Sequence, residues 1–436
     1  MKSLLGVTEA ERRIHAHMPS FGTERVALDA AAGRVLRQTV QAERDQPPFD
    51  RVMMDGIAIA STFSSPCFAG GGWEGVKLLP FRSKATPPQP SPALQGRAGE
   101  GLRRFRPAGL ALAGMPEQVL DDPAACIEVT TGAMLPRGCD SVIPIEQTRR
   151  DGESYVLIDG CEPAPGQFIH PRGADCREGE ILMRSGMRLR APEVAVLAAH
   201  GVAQVEVAKR PSVTIVATGD ELREVDQALA PGQIRRSNDR ALAAALAARG
   251  FDDVERTWIP DDLDLATHTL AGLLATRQVL VLSGGVSMGQ RDFVPAALHA
   301  LGVHEVLHGI AQRPGKPMWF GVGPQGQAVF ALPGNPVSAL VCAVRYLLPA
   351  LERAIGLTAT APVKVVLTDA VATHPALTCF VPVAVQHDGH GRAMAQPQPS
   401  PTSGDFSSLP QTDGVVELAP AAGAAPGGTV AVLHRW

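Results

Sequence analysis

The sequence predicts a multidomain protein of class α/β plus β, with a doubly wound α/β domain set between β-rich segments. Three observations carry that expectation. The chain has 436 residues, too many for one ordinary core, and domains of roughly 100–200 residues give two to four of them. From Val213 onward an apolar strand, a glycine loop and a helix recur with different loops, in "SVTIVATGDEL", "QVLVLSGGVSMGQRD" and "QAVFALPGNPVSALVCAV". Before and after that stretch, short β-like runs alternate with Gly and Pro.

The elements are taken in chain order. "VTEAERRIHAHM" predicts an amphipathic helix, with Thr8 as its cap and Glu11 three residues later. Residues 62–104, rich in Pro, Gly and Ser and poor in periodicity, are expected to be an exposed, disordered insertion. "CIEVTTG", "SVIPIEQT" and "SYVLIDG" read as strands of a small β-rich domain, and "APEVAVLAAHG" (191–201) reads as a helix folding back on the N-terminal one. "VTIVAT" and "VLVLS" are apolar at successive positions, as strands covered on both faces must be. "NDRALAAALAARGF" and "DLATHTLAGLLA" carry helical periodicity. After Gly356, "PVKVVLTDAV", "CFVPVAVQ" and "GTVAVLHRW" predict a compact all-β domain.

Composition narrows the function classes. Hydrophobic residues at 45% against 19% charged supply a sizeable core. A net charge of −4 gives no footprint for nucleic acid, though it leaves room for a local basic pocket. The seven cysteines are scattered without a C-x-x-C pair, which suits buried thiols in a reducing compartment. The first residues lack the apolar core of a signal peptide, and no run approaches the ~20 apolar residues of a membrane span, so the expected location is the cytoplasm.

Two motifs are decoys. "GGGWEG" (70–75) spells G-x-G-x-x-G, but no buried strand precedes it and Pro80 interrupts the run after it, so the dinucleotide mechanism lacks its scaffold. "HEVLH" (304–308) spells the zinc-protease motif, which needs a helix. Gly302 and Gly309 bracket it, and Val303, Val306 and Ile310 favour extended chain. In a strand, His304 and His308 stand about 13 Å apart, too far to share one zinc.

The glycine loops fall where the carboxyl ends of parallel strands collect ligands. "TGDEL" (218–222) is expected to place Asp220 and Glu221 at a helix start, able to hold a cation. "SGGVSMGQRD" offers unobstructed backbone N–H groups to a phosphate, with Arg291 and Asp292 beside them. "LPGNPVSA" (332–339) combines a Pro333–Gly334 turn, Asn335 as cap, Pro336 at the first helical position and Ser338, which makes an anion site. "QRPGKP" adds Arg313 and Lys316, and together these favour a phosphate-bearing ligand. A second group lies upstream: Asp55 before Gly56, and Thr131, Gly132, Asp140 and Glu146 in "TTGAMLPRGCDSVIPIEQT". Spacing alone does not bring that group to the α/β domain.

"MDGIAIA", "TGAMLPRGCDSVIPIEQT", "GADCREGE", "TGDEL", "LSGGVSMGQRDF", "RPGKPMWFG" and "LPGNPVSA", in this order, resemble the molybdopterin molybdenumtransferase family, which includes the E domain of gephyrin. The resemblance covers nearly the whole chain except 62–104. It implies the last step of molybdenum cofactor synthesis: adenylylated molybdopterin is bound, molybdate enters its dithiolene, and AMP is released with Mg2+ as helper ion. It also implies an elongated four-domain homodimer. The domains would be 1–45 plus 166–208, elongated; 46–165, β-rich and carrying the insertion; 209–356, α/β and molybdopterin-binding; and 357–436, β-barrel-like. Further partners would be the adenylyltransferase of the preceding step and molybdoenzyme apoproteins, with neither nucleic acid nor membrane involved.

Carried over by motif, Asp55 and Thr131 would serve the cleft of the other subunit. Glu221, Asp261 and Asp292 would surround Mg2+ and the phosphates, and Arg313 and Lys316 would face the anionic ligand. Gly219, Ser283, Gly284, Gly285, Ser287, Pro333, Gly334, Asn335, Pro336, Ser338 and, from the final domain, Ser403 would contact substrate. Three positions depart from the family pattern: Gly309 where lysine is frequent, Gln290 in place of an acidic residue, and Thr402 where glycine is usual. Two alternatives stay open at this point. One is a non-catalytic pterin-binding scaffold of the same fold, which Gly309 favours; the other is the adenylyltransferase, whose fold resembles residues 211–354.

Overall fold

The computed structural model describes residues 4–61, 103–286, 293–398, 402, 404–405 and 407–436. Its contacts divide the chain into two units, Met1–Val40 with Met183–Trp436, and Gln41–Leu182.

The first unit is built on a six-stranded sheet. In chain order its elements are β1 (Val213–Thr218), α1 (Asn238–Ala248), β2 (Val254–Ile259), α2 (Leu263–Thr276), β3 (Val279–Ser283), α3 (Val294–Ala300), β4 (His304–His308), β5 (Trp319–Val322), β6 (Ala328–Leu332) and α4 (Pro336–Cys342). The sheet order is β2-β1-β3-β6-β5-β4. The first four strands are parallel, and β5 and β4 continue the sheet through antiparallel pairings. Every residue of β1, β3 and β6 is buried, as helices on both faces require. Alternate residues serve opposite cores. Ile215, Val281 and Phe330 pack with Leu242 and Leu246 of α1, whereas Val216, Leu280, Leu282 and Val329 pack with Leu270 of α2 and Leu298 of α3. "HEVLH" is the edge strand β4, so its histidines are spaced along extended chain as expected.

Three expectations need correction. Asp220 and Glu221 do not open a helix: the chain turns after Thr218 into Leu222–Arg223, which pairs with Ile234–Arg235, and α1 begins only at Asn238. The Arg235 guanidinium donates to the carbonyls of Glu224 and Gln227, at 3.2 and 2.7 Å, occupying groups a helix would use. Tertiary contact here outweighs local propensity. Thr8 is not the cap of the first helix, which spans Val7–His17 with Gly6 at the N-cap. Val7 joins Ala10 and Ile14 on the buried face, and that burial draws the helix start two residues earlier. The Ala191–Ala199 helix does not fold back on this one; Leu197 packs with Leu36, Val205 and Val207 in a separate core.

After α4 the helical path continues through a π-helical turn, Ala343–Leu347, into Leu348–Ala354. Five strands then close a barrel: Thr378–His387, Ala393–Pro397, Lys364–Leu367, Val430–Arg435 and Gly414–Leu418, the last pairing back with the first. Closure leaves those strands without an edge. The short strand Gln312–Arg313 lies beside Thr378–Cys379, attaching the "RPGKP" loop to the barrel.

The second unit contains a mixed sheet in the order Ser141–Pro144, Gly56–Ile59, Ala125–Val129, Arg104–Ala111, Ser154–Leu157, Thr148–Asp151. Arg104 already pairs with Val156, so this strand overlaps the expected end of the insertion. Residues 62–102, including "GGGWEG" and Cys67, lie outside the described residues. The six described cysteines are free thiols. Burial pushes Cys126 and Cys139 up to about 12, which leaves them protonated and unreactive. Among the described residues, no helix is long and apolar enough to cross a membrane.

Arg345, in the π-helical turn, is buried at 8% side-chain exposure and donates to Glu417 of the barrel at 2.8 Å and to Glu11 of the first helix at 2.9 Å. One cation thus joins three parts of this unit. Arg345→Ala strips the partner from partly buried carboxylates and is expected to destabilise the unit by about 3 kcal/mol. Chemical denaturation of the variant against the parent checks this, and a change below about 1 kcal/mol would show the cluster to be dispensable.

Candidate functional site

The strand order reverses between β1 and β3, and at such a switch point the loops diverge and leave a crevice beyond the carboxyl ends. A cavity of about 820 Å³ opens there. Register sets it up: Ala217 of β1, Ser283 of β3 and Leu332 of β6 lie side by side, so three loops begin at one level. Gly219, Glu221, Asp261, Ser283, Gly284, Gly285, Pro333, Gly334, Asn335 and Pro336, all expected from sequence, line it.

Gly284 shows why side chains are stripped from this loop. Its φ is +104°, and a Cβ would stand 2.5 Å from Thr218 Oγ1 and 2.9 Å from the Thr218 carbonyl oxygen. Only glycine brings the loop this close to β1. The Glu221 carboxylate folds back over Gly219, where a Cβ would meet Oε2 at 2.5 Å. Trp258 Nε1 donates to the Gly219 carbonyl at 2.9 Å, and the Asp261 N–H donates to Asp220 Oδ1 at 3.1 Å. Two carboxylates, Glu221 and Asp261, therefore border the cavity on one side.

The opposing charge comes from a cluster behind Ile234–Asp239. Arg236, a cavity-lining residue, donates to Glu224 and, at 2.7 Å, to the fully buried Asp239. Arg240 pairs with Glu224 at 2.8 Å and Arg256 with Asp239 at 3.5 Å. The Arg240 guanidinium holds the Glu224 carboxyl below its usual range. With Arg235, Glu221 and Asp261 of the lining counted in, four arginines stand against four carboxylates, so the cavity offers both cationic and anionic groups to a ligand.

Other expected residues fall elsewhere. Arg313 and Lys316 are exposed and do not line the cavity, though Pro317 beside them does. Ser338 is buried within α4, away from the lining. Asn335 holds the N-cap position of α4, but its side chain makes no capping hydrogen bond. Ser287, Gln290, Arg291, Asp292 and Ser403 lie outside the described residues. Gly309, where the family pattern favours lysine, has φ +88°, and a Cβ would meet Leu4 Cδ2 at 2.9 Å. This backbone selects glycine there. Sequence reasoning missed Asn238, Arg236 and Asp239, whose signal was the polar run "RRSND" ahead of a helix. A smaller cavity of about 270 Å³, lined by Phe21, Leu274 and Gln278 among others, holds none of the expected residues.

In the second unit Asp55 Oδ1 accepts from the Thr131 N–H at 2.6 Å and from its hydroxyl at 2.8 Å. The backbone bond first, then the hydroxyl, lowers the Asp55 pKa. Asp140 instead anchors the chain at Ser61, accepting from its N–H and hydroxyl at 2.6 and 2.9 Å. Glu146 is exposed in a short 3-10 turn.

Comparison with known proteins identifies the architecture. Residues 5–201 match the family described as MoeA N-terminal region (domain I and II), 214–353 the probable molybdopterin binding domain, and 364–434 the MoeA C-terminal region (domain IV). A molybdopterin molybdenumtransferase of Synechocystis sp. is 35% identical over 416 residues, covering 95% of each chain. The chain belongs to the molybdopterin molybdenumtransferase family. Another family member, from Synechococcus elongatus, is 32% identical over 84% of this chain and 83% of its own. The crystal structure of a molybdopterin biosynthesis MoeA protein from Pyrococcus horikoshii OT3 matches with TM-score 0.76 and 25% identity over 100% of both chains. All of the cavity's lining except Gly404 falls within the segment matched to the molybdopterin-binding family.

Thr131→Val removes the hydroxyl bond to Asp55 and keeps the backbone one. The Asp55 titration, followed by carboxyl NMR, is expected to rise partway toward the ordinary aspartate value of about 3.9. Because the native pKa is depressed, the interaction is complete above the unfolded value and is lost as pH falls through the folded one. An unchanged titration would show that the hydroxyl contributes nothing.

Proposed function

We propose that this molybdopterin molybdenumtransferase binds adenylylated molybdopterin in the β1–β3–β6 cavity and releases AMP as molybdate is inserted. The single observation that carries this assignment is the convergence of three in-register glycine loops on one cavity lined by both arginines and carboxylates. The Gly284 N–H is donated to the Leu332 carbonyl at 3.1 Å, so it is the backbone at Gly285 that would approach a phosphate without side-chain obstruction. The arginine cluster offsets the charge that grows when a phosphoanhydride breaks. Arg313 and Lys316, exposed on the loop whose Pro317 lines the cavity, would add two cations toward the ligand.

The donor set suits magnesium. Glu221 and Asp261 present carboxylate oxygens at the cavity, and Mg2+ is commonly held by one or two carboxylates plus substrate phosphates and water. Among the described residues no cluster of three or more metal-binding side chains forms, so the remaining ligands would come from Asp292, substrate and water. Bound there, the ion would neutralise phosphate charge during anhydride cleavage.

The test mixes the purified chain with adenylylated molybdopterin, Mg2+ and molybdate and follows AMP. Molybdate-dependent release is expected, and Glu221→Gln should slow it on the order of 100-fold while raising the Mg2+ requirement. Pterin binding without release would convert the reading to that of a scaffold, and no binding would overturn it.

The Asp55–Thr131 pair is assigned to the same reaction in a homodimer, where it serves the cavity of the other copy. Subunit complementation tests this assignment. Asp55→Asn and Glu221→Gln, each strongly impaired alone, are expected to recover about a quarter of parental activity when mixed and reassociated at equal amounts, because half the dimers are mixed and each holds one intact site. Absence of recovery, with exchange verified, would place both residues in one copy's site.

A further inference from the structure

Asn238 opens α1 and lines the cavity, but no sequence motif pointed to it. Its Nδ2 lies 2.9 Å from Ser283 Oγ and 2.7 Å from the Gly334 carbonyl oxygen. A carbonyl oxygen only accepts, so the amide atom facing Gly334 must be nitrogen, and this fixes which way the amide points. Both N–H groups are then used, one on each loop. Ser283 Oγ is therefore an acceptor toward Asn238, and its own O–H must donate elsewhere. Ser283 is 4% exposed, lines the cavity, and its hydroxyl has no second partner among the described residues. A buried hydroxyl whose proton has no acceptor is costly, and the open direction is the cavity.

We propose that Asn238 is a positioning residue that turns the Ser283 hydroxyl into a hydrogen-bond donor for an oxyanion of the ligand and ties the β3 loop to the β6 loop. This rests on the transferase reading above. The oxyanion is either a phosphate oxygen of the nucleotide-bearing ligand or an oxygen of molybdate. Both are tetrahedral acceptors.

The decisive substitution reverses the bond. Asn238→Asp offers Ser283 only an acceptor, so the hydroxyl swings toward the carboxylate and its donation to the ligand is lost. AMP release in Asn238→Asp is expected to fall about tenfold or more in kcat/KM, beyond the loss in Asn238→Ala at equal thermal stability. On a Ser283→Ala background, the excess of the Asp variant over the Ala variant should shrink to the part that comes from the new carboxylate beside the Gly334 carbonyl and the anionic ligand, because no hydroxyl remains to reverse. Calorimetric binding of AMP alone and of molybdate alone to Ser283→Ala tells the two oxyanions apart, since only the probe held by that hydroxyl weakens. If Asn238→Asp matches Asn238→Ala, if its excess is undiminished without the hydroxyl, or if neither probe weakens in Ser283→Ala, the proposal is overturned. Should Asn238→Asp fail to fold, the two binding measurements on Ser283→Ala decide. If the parent chain releases no AMP, the transferase reading fails, and those measurements still decide the role of Ser283.

Discussion

The site depends on one geometric constraint: the parallel strands β1, β3 and β6 end in register. Because Ala217, Ser283 and Leu332 are neighbours across the sheet, the residues after each strand must leave it at the same height. β2 obeys the same rule, with Trp258 beside Ala217 and Ile259 beside Thr218, so Asp261 comes at that level too. A slip of one residue in any pairing would turn that strand's side chains to the wrong faces, exchanging the partners of two packed cores. The hydrophobic faces that hold the strands therefore also set the positions of Gly219, Gly284 and Gly334. Packing and the shape of the cavity are fixed by the same register.

Much of this was legible in the sequence because burial on both faces leaves a plain mark. "VTIVAT" and "VLVLS" cannot alternate if helices cover each side, and they are strands with every residue buried. The glycines after them were legible for a related reason, since a chain that must pass close to another backbone can carry no Cβ. "HEVLH" is legible as a strand because its flanking glycines and β-branched residues outweigh a short motif.

What the sequence concealed depends on distant partners. Arg235 keeps residues 224–227 out of a helix by taking their carbonyls, and nothing local to "TGDEL" announces it. Asp140 sits in a motif carried by family resemblance, yet its carboxylate is occupied in anchoring Ser61. Asn238 is a common helix-opening residue on paper; its significance comes from Ser283 and Gly334, 45 and 96 residues away. Polar cross-links of this kind leave no periodicity. They are found by asking where each hydrogen-bonding group goes once the fold is known.

The strand Gln312–Arg313 belongs in sequence to the α/β segment but pairs with the C-terminal barrel. The loop bearing Arg313 and Lys316 is in effect bolted to a closed β-structure, and Gly404 alone among the described residues of that final domain reaches the β1–β3–β6 cavity. A displacement of the barrel strand at Thr378–Cys379 therefore carries the two cations with it. Under the function proposed above, substitutions around Thr378 and Cys379 would surface in a genetic screen as defects in ligand affinity, and a map of such alleles would trace a region that neither motif nor cavity marks.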